Sequence, residues 1–441
     1  MKQKQYFFKS VMLFVFTFSS LYIALAQERK TYTSLAEVWN DVRQQNIIFK
    51  SAQIQTELSN LAHKTSVGNI INPRMPVTLN LIDNTRLQSN FIPAEIFGGP
   101  SGSFREVTFG QQYNALFSVQ PQIDLVNMSS IAQIKSAKIN KELTASQNQL
   151  NELQLYENLN ATYHNIVSLK SQKDILSKNI DIAEKIKTIV SNRYKEGIAR
   201  KQDINEAEVN LINLKDKMEQ LDYNILMQEK IMALYFENNA NPEIQENLDQ
   251  YASENITSVN TSNAKSRNVI LQSQMLRQDI KSLQFQYYPT LSLISSFNWQ
   301  NLSNDFFFAA NSSGITYNFI GLKLGWDFPT VTRLSNIKNK QYQLQTLALN
   351  ETHVQKETKT KAEQLAIEYQ KAQSQYKNYK AISDLKADTY QKNLNQYEEN
   401  ILGLDKLLIS QNDMLNSQIN VVQSLANIAF AKYKIIIHNL Y

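Results

Sequence analysis

Four histidines are the side chains in this sequence best suited to metal binding or proton transfer, because a neutral imidazole can serve in both. A metal site on a helix typically needs two such side chains three or four residues apart. His63, His164, His353 and His438 are 85 residues or more apart, and the chain contains no cysteine. The spacing therefore favours packing or surface roles for the histidines, and it predicts neither a metal site nor a disulfide.

No other arrangement of reactive side chains indicates catalysis. The sequence has neither a phosphate-binding glycine loop nor a nucleophile elbow. Tyr369, Tyr376 and Tyr379 recur at helical spacing, which favours packing along a helix seam over a ligand site. The 45 basic and 40 acidic residues are nearly balanced, which gives no electrostatic argument for a nucleic acid partner. We therefore expect no enzymatic activity, no cofactor and no nucleic acid binding.

The first residues have the three parts of a secretory signal. A start with three lysines is followed by an apolar run over 11–25, and Ala24-Leu25-Ala26 fits the small-x-small cleavage pattern. The apolar run is shorter than the roughly 20 residues that a membrane-spanning helix needs. We therefore expect a signal peptide over 1–26 and an exported mature chain. No later segment reaches the length of a membrane helix, so any membrane insertion would have to use strands.

An internal repeat with a period near 203 residues is the most informative pattern in the sequence. Two series of residues spaced by seven positions, called heptad ladders below, show this repeat. The first ladder is Ile204, Leu211, Met218, Ile225 and Met232, with Ala207, Leu214 and Leu221 at the intermediate positions. The second ladder is Leu407, Met414, Val421, Ile428 and Ile435, with Ser410, Ser417, Ser424 and Ala431 at the intermediate positions. Apolar spacings of three and four, sustained over four heptads, predict a coiled-coil seam. The small residues in the second ladder favour close approach of the helices.

Two longer stretches without glycine or proline show the same repeat, one over about 128–194 and the other over about 333–397. At 1.5 Å per residue each predicts a helix of roughly 100 Å. Shorter helical segments are predicted over about 35–67, which opens with the capping-box residues Ser34 and Glu37, and over 204–235, 264–286 and 404–438. Each half of the chain therefore predicts one long helix packed against two shorter ones.

Each half also carries two strand-like segments between its first short helix and its long helix. Apolar and polar residues alternate over 76–81 and 113–120 in the first half, and over 289–293 and about 315–328 in the second. Such alternation is typical of a transmembrane barrel strand and equally of a half-buried soluble strand. Four strands leave two open edges, which lipid does not tolerate. A membrane location would therefore require several copies of the chain to share one barrel.

A turn motif precedes the first heptad ladder. Arg193, Tyr194 and Gly197 are followed six residues later by Asp203 and an apolar run, and the counterpart in the second half is a degenerate turn over 397–400. Asparagine at position 400 can adopt the left-handed conformation that glycine would take there. Together with the duplication and the strand placement, this motif resembles the TolC-type outer membrane efflux family over essentially the whole mature chain.

The resemblance implies a mainly α fold with a membrane β-barrel portion. Duplicated long-helix coiled-coil hairpins and four β-strands per protomer would form, in a homotrimer, a twelve-stranded barrel over an α-helical tunnel. The implied domains are a first efflux-protein repeat over 27–240, an equatorial connecting segment over 241–263 and a second repeat over 264–441. The implied function is a passive exit duct in outer-membrane lipid, with its tunnel extending into the periplasm. It would work with a periplasmic adaptor (membrane fusion) protein and an inner-membrane transporter of the resistance-nodulation-division or ABC type.

The resemblance also places the two turns at the periplasmic tip, where family members contact the adaptor. The residues implied in this contact are Tyr194, Gly197, Ile198, Ala199, Tyr397, Asn400, Ile401 and Leu402. Some relatives close the tunnel with an aspartate in the first turn paired to an arginine in the second. Asp203 matches the aspartate, but Leu402 stands where the arginine is expected. Other candidates for a tip gate are Arg193, Arg200, Lys201, Glu398 and Glu399, and the sequence does not choose among them.

Two other classes of protein stay open at this stage. A periplasmic coiled-coil structural or adaptor protein would be expected to have one helical hairpin and a glycine-rich β region, whereas this chain has two duplicated hairpins and only ten glycines. An outer-membrane enzyme would need an acid, base and nucleophile constellation that the sequence lacks. Drugs, metal ions and polypeptides all remain possible as exported cargo.

Overall fold

The computed structural model describes residues 30–71, 74–237, 242–253, 258–261 and 264–440. The predicted signal peptide over 1–26 lies outside these residues. The described residues form two compact units, a helical unit from those within Met1–Ile54, Ser146–Arg267 and His353–Tyr441, and a sheet unit from those within Gln55–Ala145 and Asn268–Thr352.

The helices reproduce the predicted duplication. They are α1 (Leu35–Gln45), α2 (Ile47–Ile71), α3 (Met128–Lys195), α4 (Lys201–Ala233), α5 (Ala264–Phe285), α6 (Val331–Glu398) and α7 (Leu404–His438). The two long helices, α3 and α6, each contain 68 residues, and α6 begins and ends 203 positions after α3. The same offset separates the first residues of α4 and α7. Within the described ranges, no helix combines the length and the apolar character needed to cross a membrane.

The first predicted helix, over 35–67, is corrected by the structure to two helices that are separated at Asn46. The backbone of Asn46 is extended there, and its side chain bonds in two directions. Its Nδ2 donates to the backbone oxygen of Tyr235 at 2.9 Å, and its Oδ1 accepts from the backbone N–H of Ile48 at 2.9 Å. The second bond caps α2, so the side chain replaces the backbone bonds that a continuous helix would make.

The strands are β1 (Thr31–Tyr32), β2 (Val77–Asp83), β3 (Ser89–Pro93), β4 (Phe104–Thr108), β5 (Tyr113–Val119), β6 (Gln122–Val126), β7 (Glu243–Ile244), β8 (Thr290–Ser303) and β9 (Ser313–Gly325). In the sheet unit, β2, β5, β6, β8 and β9 form one antiparallel sheet. The hairpin of β3 and β4 was not predicted. In the helical unit, β1 pairs in parallel with β7.

Strands β5 and β6 together behave as one strand of the sheet. Both pair with β8, and Val119 opposite Phe297 is in the same register as Gln122 opposite Ile294. Pro121 separates them because it has no N–H for the ladder, although its carbonyl accepts a bond of 2.9 Å from Ser295. The sheet therefore has the four strand positions that the sequence predicts, in the order β2, β5/β6, β8, β9.

Both predicted heptad seams are buried in the helical unit. Their most buried members are Ala207, Leu211, Leu214, Ile225 and Met232 on α4, and Leu407, Met414, Ile428, Ala431 and Ile435 on α7. Ser410, Ser417 and Ser424 also lie in the α7 seam, and each donates its hydroxyl at 2.7–2.8 Å to the carbonyl three residues earlier on the same helix. Because these serines satisfy their polar groups within α7, the closely packed seam leaves no hydroxyl without an acceptor.

Candidate functional site

The two interhelical turns of the helical unit have the same backbone conformation. Gly197 has φ of 74° and Asn400 has φ of 62°, and both values lie in the left-handed region. The N–H of Ile198 donates to the Arg193 carbonyl, and the N–H of Ile401 donates to the Gln396 carbonyl, each at 2.8 Å. These are the bonds of a helix C-terminal turn closed by a left-handed residue. The degenerate second turn therefore preserves the geometry of the first, as predicted for Asn400.

Arg193 joins the two turns. Its Nη1 donates to the backbone oxygen of Tyr397 at 2.7 Å, and its guanidinium carbon lies 4.5 Å from the centre of the Tyr397 ring. Such a hydrogen bond with a cation–π contact holds two elements together more specifically than a surface ion pair would. Burial raises the pKa of the Tyr397 hydroxyl, and the Arg193 charge opposes part of this shift. Among the candidate gate residues, Arg193 thus makes a hydrogen bond and a cation–π contact from the first turn to the second.

Asp203 has a local partner in the same turn. Its carboxylate accepts the backbone N–H of Arg200 at 2.7 Å and lies 3.3 Å from the Arg200 guanidinium. This arrangement caps the first turn of α4, where a carboxylate is favourable. Glu398 and Glu399 are exposed and form no ion pair with any described residue. Asp203 therefore acts as a helix cap in the protomer, and its part in a tip gate stays a prediction.

The residues predicted to contact the adaptor differ in their exposure to solvent. Tyr194, Gly197, Ile198, Asn400 and Ile401 are exposed, Ala199 and Leu402 are half-buried, and Tyr397 is buried. Tyr397 packs in an apolar cluster with Val190, Tyr390 and Leu407 just below the turns. The exposed part of the tip therefore combines the apolar Ile198 and Ile401 with charged side chains such as Glu398 and Glu399, and it packs on an apolar cluster.

A buried amide network in the helical unit was not predicted. Asn210 Nδ2 donates to Gln411 Oε1 at 3.0 Å, and Gln411 Nε2 donates to the backbone oxygen of Asn179 at 3.1 Å. These residues lie on α4, α7 and α3, and all three are buried. The available signal was a polar residue next to a ladder or intermediate position on each helix, Asn210 before Leu211 on α4 and Gln411 after Ser410 on α7. Buried polar contacts of this kind can specify the register of packed helices.

One face of the sheet is apolar and exposed. Its large side chains are Val77, Leu79, Leu81, Phe117, Phe297, Trp299, Ile320, Leu322 and Leu324. They share a face because directly opposed residues of antiparallel strands point the same way, as in the row Leu79, Phe117, Trp299. Their exposure runs from 38% for Trp299 to 74% for Ile320. The apolar face therefore has no covering layer within the described part of the chain.

On β5 and β8 the opposite face of the sheet carries polar, more buried side chains, whereas on β9 the same face presents the exposed Ile315, Tyr317 and Phe319. Ser296 is 2% exposed and Asn298 is 8% exposed. The Ser118 hydroxyl donates to Asn298 Oδ1 at 2.7 Å, Asn298 Nδ2 donates to Ser296 Oγ at 2.7 Å, and Gln120 Nε2 donates to Ser118 Oγ at 3.0 Å. A one-sided soluble sheet has the reverse arrangement, with its apolar face buried and its polar face in water.

Both edges of the sheet are unpaired within the described residues. Strand β2 pairs only with β5, and β9 pairs only with β8. Strand β9 is 13 residues long and exposed over nearly its whole length. A long, exposed edge of this kind offers unpaired N–H and C=O groups to another strand.

Solved structures of outer membrane proteins share this fold. VceC, an outer membrane protein of Vibrio cholerae, is 13% identical over 91% of this chain and 95% of that chain, with a TM-score of 0.71. The outer membrane channel CmeC of Campylobacter jejuni is 13% identical over 94% of this chain and 90% of that chain, with a TM-score of 0.72. CusC, whose structures describe transmembrane channel formation, is 11% identical over 92% of this chain and 91% of that chain, with a TM-score of 0.74. No protein-family model and no curated protein matches the sequence.

Two duplicated helical hairpins and a four-position sheet with an exposed apolar face define the class of fold. The chain has the fold of the TolC-type outer membrane efflux channels, and the resemblance predicted from its turn motif, duplication and strand placement is confirmed at that level. The solved structures named above are an outer membrane protein and outer membrane or transmembrane channels. Across the described ranges, no three His, Cys, Asp or Glu side chains are grouped as metal ligands.

Proposed function

We propose that this chain is one protomer of an outer-membrane exit duct, a passive conduit of a tripartite efflux or secretion system. The observation that carries the proposal is the inverted sheet, with its apolar face exposed and its polar face hydrogen-bonded. In a membrane barrel the outer face meets hydrocarbon and the inner face meets water. The chain's sheet fits that environment, whereas in water its apolar face would be a costly exposed patch.

The open edges support a homo-oligomer. Four strand positions are too few for a closed barrel, and unpaired backbone groups are not tolerated in lipid. If β9 of one copy pairs with β2 of the next, three copies close a twelve-stranded barrel without any edge. We accordingly propose a homotrimer in the outer membrane, with two efflux-protein repeats over 27–240 and 264–441 joined by the segment 241–263.

The paired turns support a docking role for the tip of the helical unit. Ile198 and Ile401 are exposed apolar residues at equivalent places in the two turns, next to exposed Tyr194. We propose that this tip binds the hairpin of a periplasmic adaptor, which would connect the duct to an inner-membrane transporter of the resistance-nodulation-division or ABC type. That transporter would supply the energy, and the duct would only conduct.

Membrane insertion of the sheet can be tested with two matched substitutions in β9. Leu322 lies on the apolar face and Phe319 on the polar face, and both are exposed in the protomer. Arginine on a lipid-facing strand costs about 2–4 kcal/mol near the bilayer midplane, whereas an exposed position in water changes stability by only about 0.5 kcal/mol. We expect Leu322→Arg to reduce the amount of assembled protein strongly and Phe319→Arg to leave most of it intact.

The measurement is outer-membrane fractionation, carbonate extraction and the mass of the detergent-solubilised particle for the full-length chain. The unmodified protein should resist carbonate and have the mass of three copies. A carbonate-soluble monomer would instead favour the periplasmic structural or adaptor protein. Equal tolerance of Leu322→Arg and Phe319→Arg would overturn the assignment of the apolar face to lipid.

A further inference from the structure

We propose that Arg74, Asp124 and Lys323 form a charged row on the inner wall of the conduit and bias which ions pass it. This inference rests on the proposed function, and it concerns the charge class of solute that the duct favours. Charged residues are few in the sheet. The five strands that form the sheet contain only Asp83, Asp124 and Lys323 as charged residues.

Strand register brings two of these residues into one row. Asp124 lies directly opposite Ser292 on β8, and Ser292 lies directly opposite Lys323 on β9. Arg74 precedes β2 and forms an isolated bridge with Gln122, two residues before Asp124. Because opposed residues share a face, all of these side chains lie on the polar side of the sheet. They line one cavity of about 310 Å³ there.

Hydrogen bonds hold the acidic member of the row in place. The Ser292 hydroxyl donates to Asp124 Oδ1 at 2.8 Å, and the Arg74 guanidinium lies 3.8 Å from Asp124 Oδ2. Lys323 is exposed and forms no ion pair with any described residue. Asp327 also lines the cavity, but it is paired with Arg333 at 3.2 Å.

The row carries one net positive charge in each copy, because Arg74 and Lys323 outweigh Asp124. The other side chains on this face of the strands are uncharged, both polar ones such as Ser296 and Asn298 and apolar ones such as Ile315 and Phe319. Charged side chains that line a barrel interior set its ion preference, whereas uncharged polar groups discriminate little. Repetition in several copies would concentrate the positive charge into a ring, so the geometry points to a local preference for anionic over cationic solutes.

A graded series at Lys323 tests this inference. The probe is potassium chloride, and the measurement is the ratio of potassium to chloride permeability of the full-length protein in planar bilayers under a salt gradient. Lys323→Arg keeps the charge, Lys323→Gln removes it and Lys323→Glu reverses it. We expect an unchanged ratio for Lys323→Arg, and an increase of about twofold for each unit of charge removed per copy in the other two variants. Asp124→Asn should change the ratio in the opposite direction.

The possible outcomes separate this inference from the proposed function. If the unmodified protein inserts into the bilayer but does not conduct, the proposed function fails and the inference fails with it. If it conducts, but Lys323→Gln and Lys323→Glu have the ratio of Lys323→Arg, only the charged row is overturned and the duct stands. A ratio that rises steadily from arginine through glutamine to glutamate supports the inference.

Discussion

His164 is the one histidine that the fold buries completely enough to change its chemistry. Its Nδ1 lies 3.0 Å from the Asn160 backbone oxygen, and its ring is surrounded by aromatic rings, including Tyr163 and Tyr433 at 5.3 Å each. Burial, together with a smaller effect of the nearby Lys432 ammonium, lowers the pKa of His164 to about 4, and the hydrogen bond to the Asn160 carbonyl opposes part of this shift. The residue is therefore neutral near pH 7 and packs in the core, which is one of the two roles, packing or surface, that the sequence predicts for the histidines.

The lowered pKa of His164 predicts a loss of stability in acid. The histidine takes up a proton near pH 6.5 in the unfolded chain and only near pH 4 in the folded chain. The free energy of unfolding is therefore at its full value above pH 6.5, and it decreases as the pH falls from 6.5 to 4. The loss should be of the order of 3 kcal/mol. His164→Phe keeps an aromatic ring in the same place but removes the proton site. We expect the unmodified protein to lose stability relative to this variant between pH 6.5 and 4.

Thermal unfolding at several pH values measures this difference. Glu246, Tyr163, Tyr251, Tyr433 and Lys432 face the same region, so the comparison with the variant is needed to isolate the histidine. Burial raises the pKa of Glu246, which makes its own pH dependence opposite in sign. Parallel pH profiles for the two proteins would contradict the assignment to His164.

The left-handed conformation of Gly197 predicts how substitutions at this position affect the first turn. A Cβ at this position would meet no atom within 4 Å, so a substitution is penalised by its left-handed φ and not by a clash. Leucine in that conformation costs about 1–2 kcal/mol, whereas asparagine is tolerated, as Asn400 shows at the equivalent place. We expect Gly197→Leu to loosen the turn and Gly197→Asn to preserve it.

Limited trypsin digestion provides the measurement, because Lys195, Arg200 and Lys201 flank Gly197. Cleavage within 195–201 should be several-fold faster in Gly197→Leu than in Gly197→Asn. Equal cleavage rates would show that backbone strain at this position does not govern the turn, and they would weaken the tip as a defined docking surface.

At the scale of elements, the α7 seam predicts different effects for two nearby residues. Leu407 is 0% exposed in the apolar cluster below the turns, whereas Ile409 is 60% exposed on the other side of the same helix. Leu407→Asp would place a carboxylate in the core at a cost of at least about 3 kcal/mol. We expect this variant to lose the folded tip and any export activity, and Ile409→Asp to remain folded.

Thermal unfolding and the yield of folded protein distinguish the two variants. If Leu407→Asp unfolds at the same temperature as Ile409→Asp, the ladder read from the heptads is not the stabilising seam. If both variants fail, the Ile409 side of α7 must be covered by another copy or a partner, which would add a contact that the single protomer does not contain.

At the scale of the whole molecule, the sheet is the part that one chain cannot complete. Its apolar face is uncovered, and strands β2 and β9 each lack a neighbour on one side within the described residues. Either feature alone would fit a surface that binds one partner. Together they support the proposed barrel shared by several copies in lipid, which would supply an apolar environment on one face and further strands on both edges.

The sequence by itself determined the long helices, the heptad helices and the four strand positions of the sheet, and their order, but not the break at Asn46 or the hairpin of β3 and β4. Periodic patterns are local, so the heptads and the 203-residue repeat located the long helices to within about two residues, with α3 predicted over 128–194 and observed over Met128–Lys195. The turn at Asn400 was also predictable, because the tolerance of asparagine for positive φ is a property of that residue.

The tertiary structure alone decided how distant residues meet. Asn46 interrupts the first helix through a bond to Tyr235, Arg193 joins the two turns through Tyr397, and register places Asp124 in line with Lys323. Alternation in a strand is the same whether its apolar side faces lipid or a soluble core, so only the packed sheet could show which face is exposed. Contacts between positions about 190 to 205 residues apart depend on the folded chain, and no local pattern encodes them.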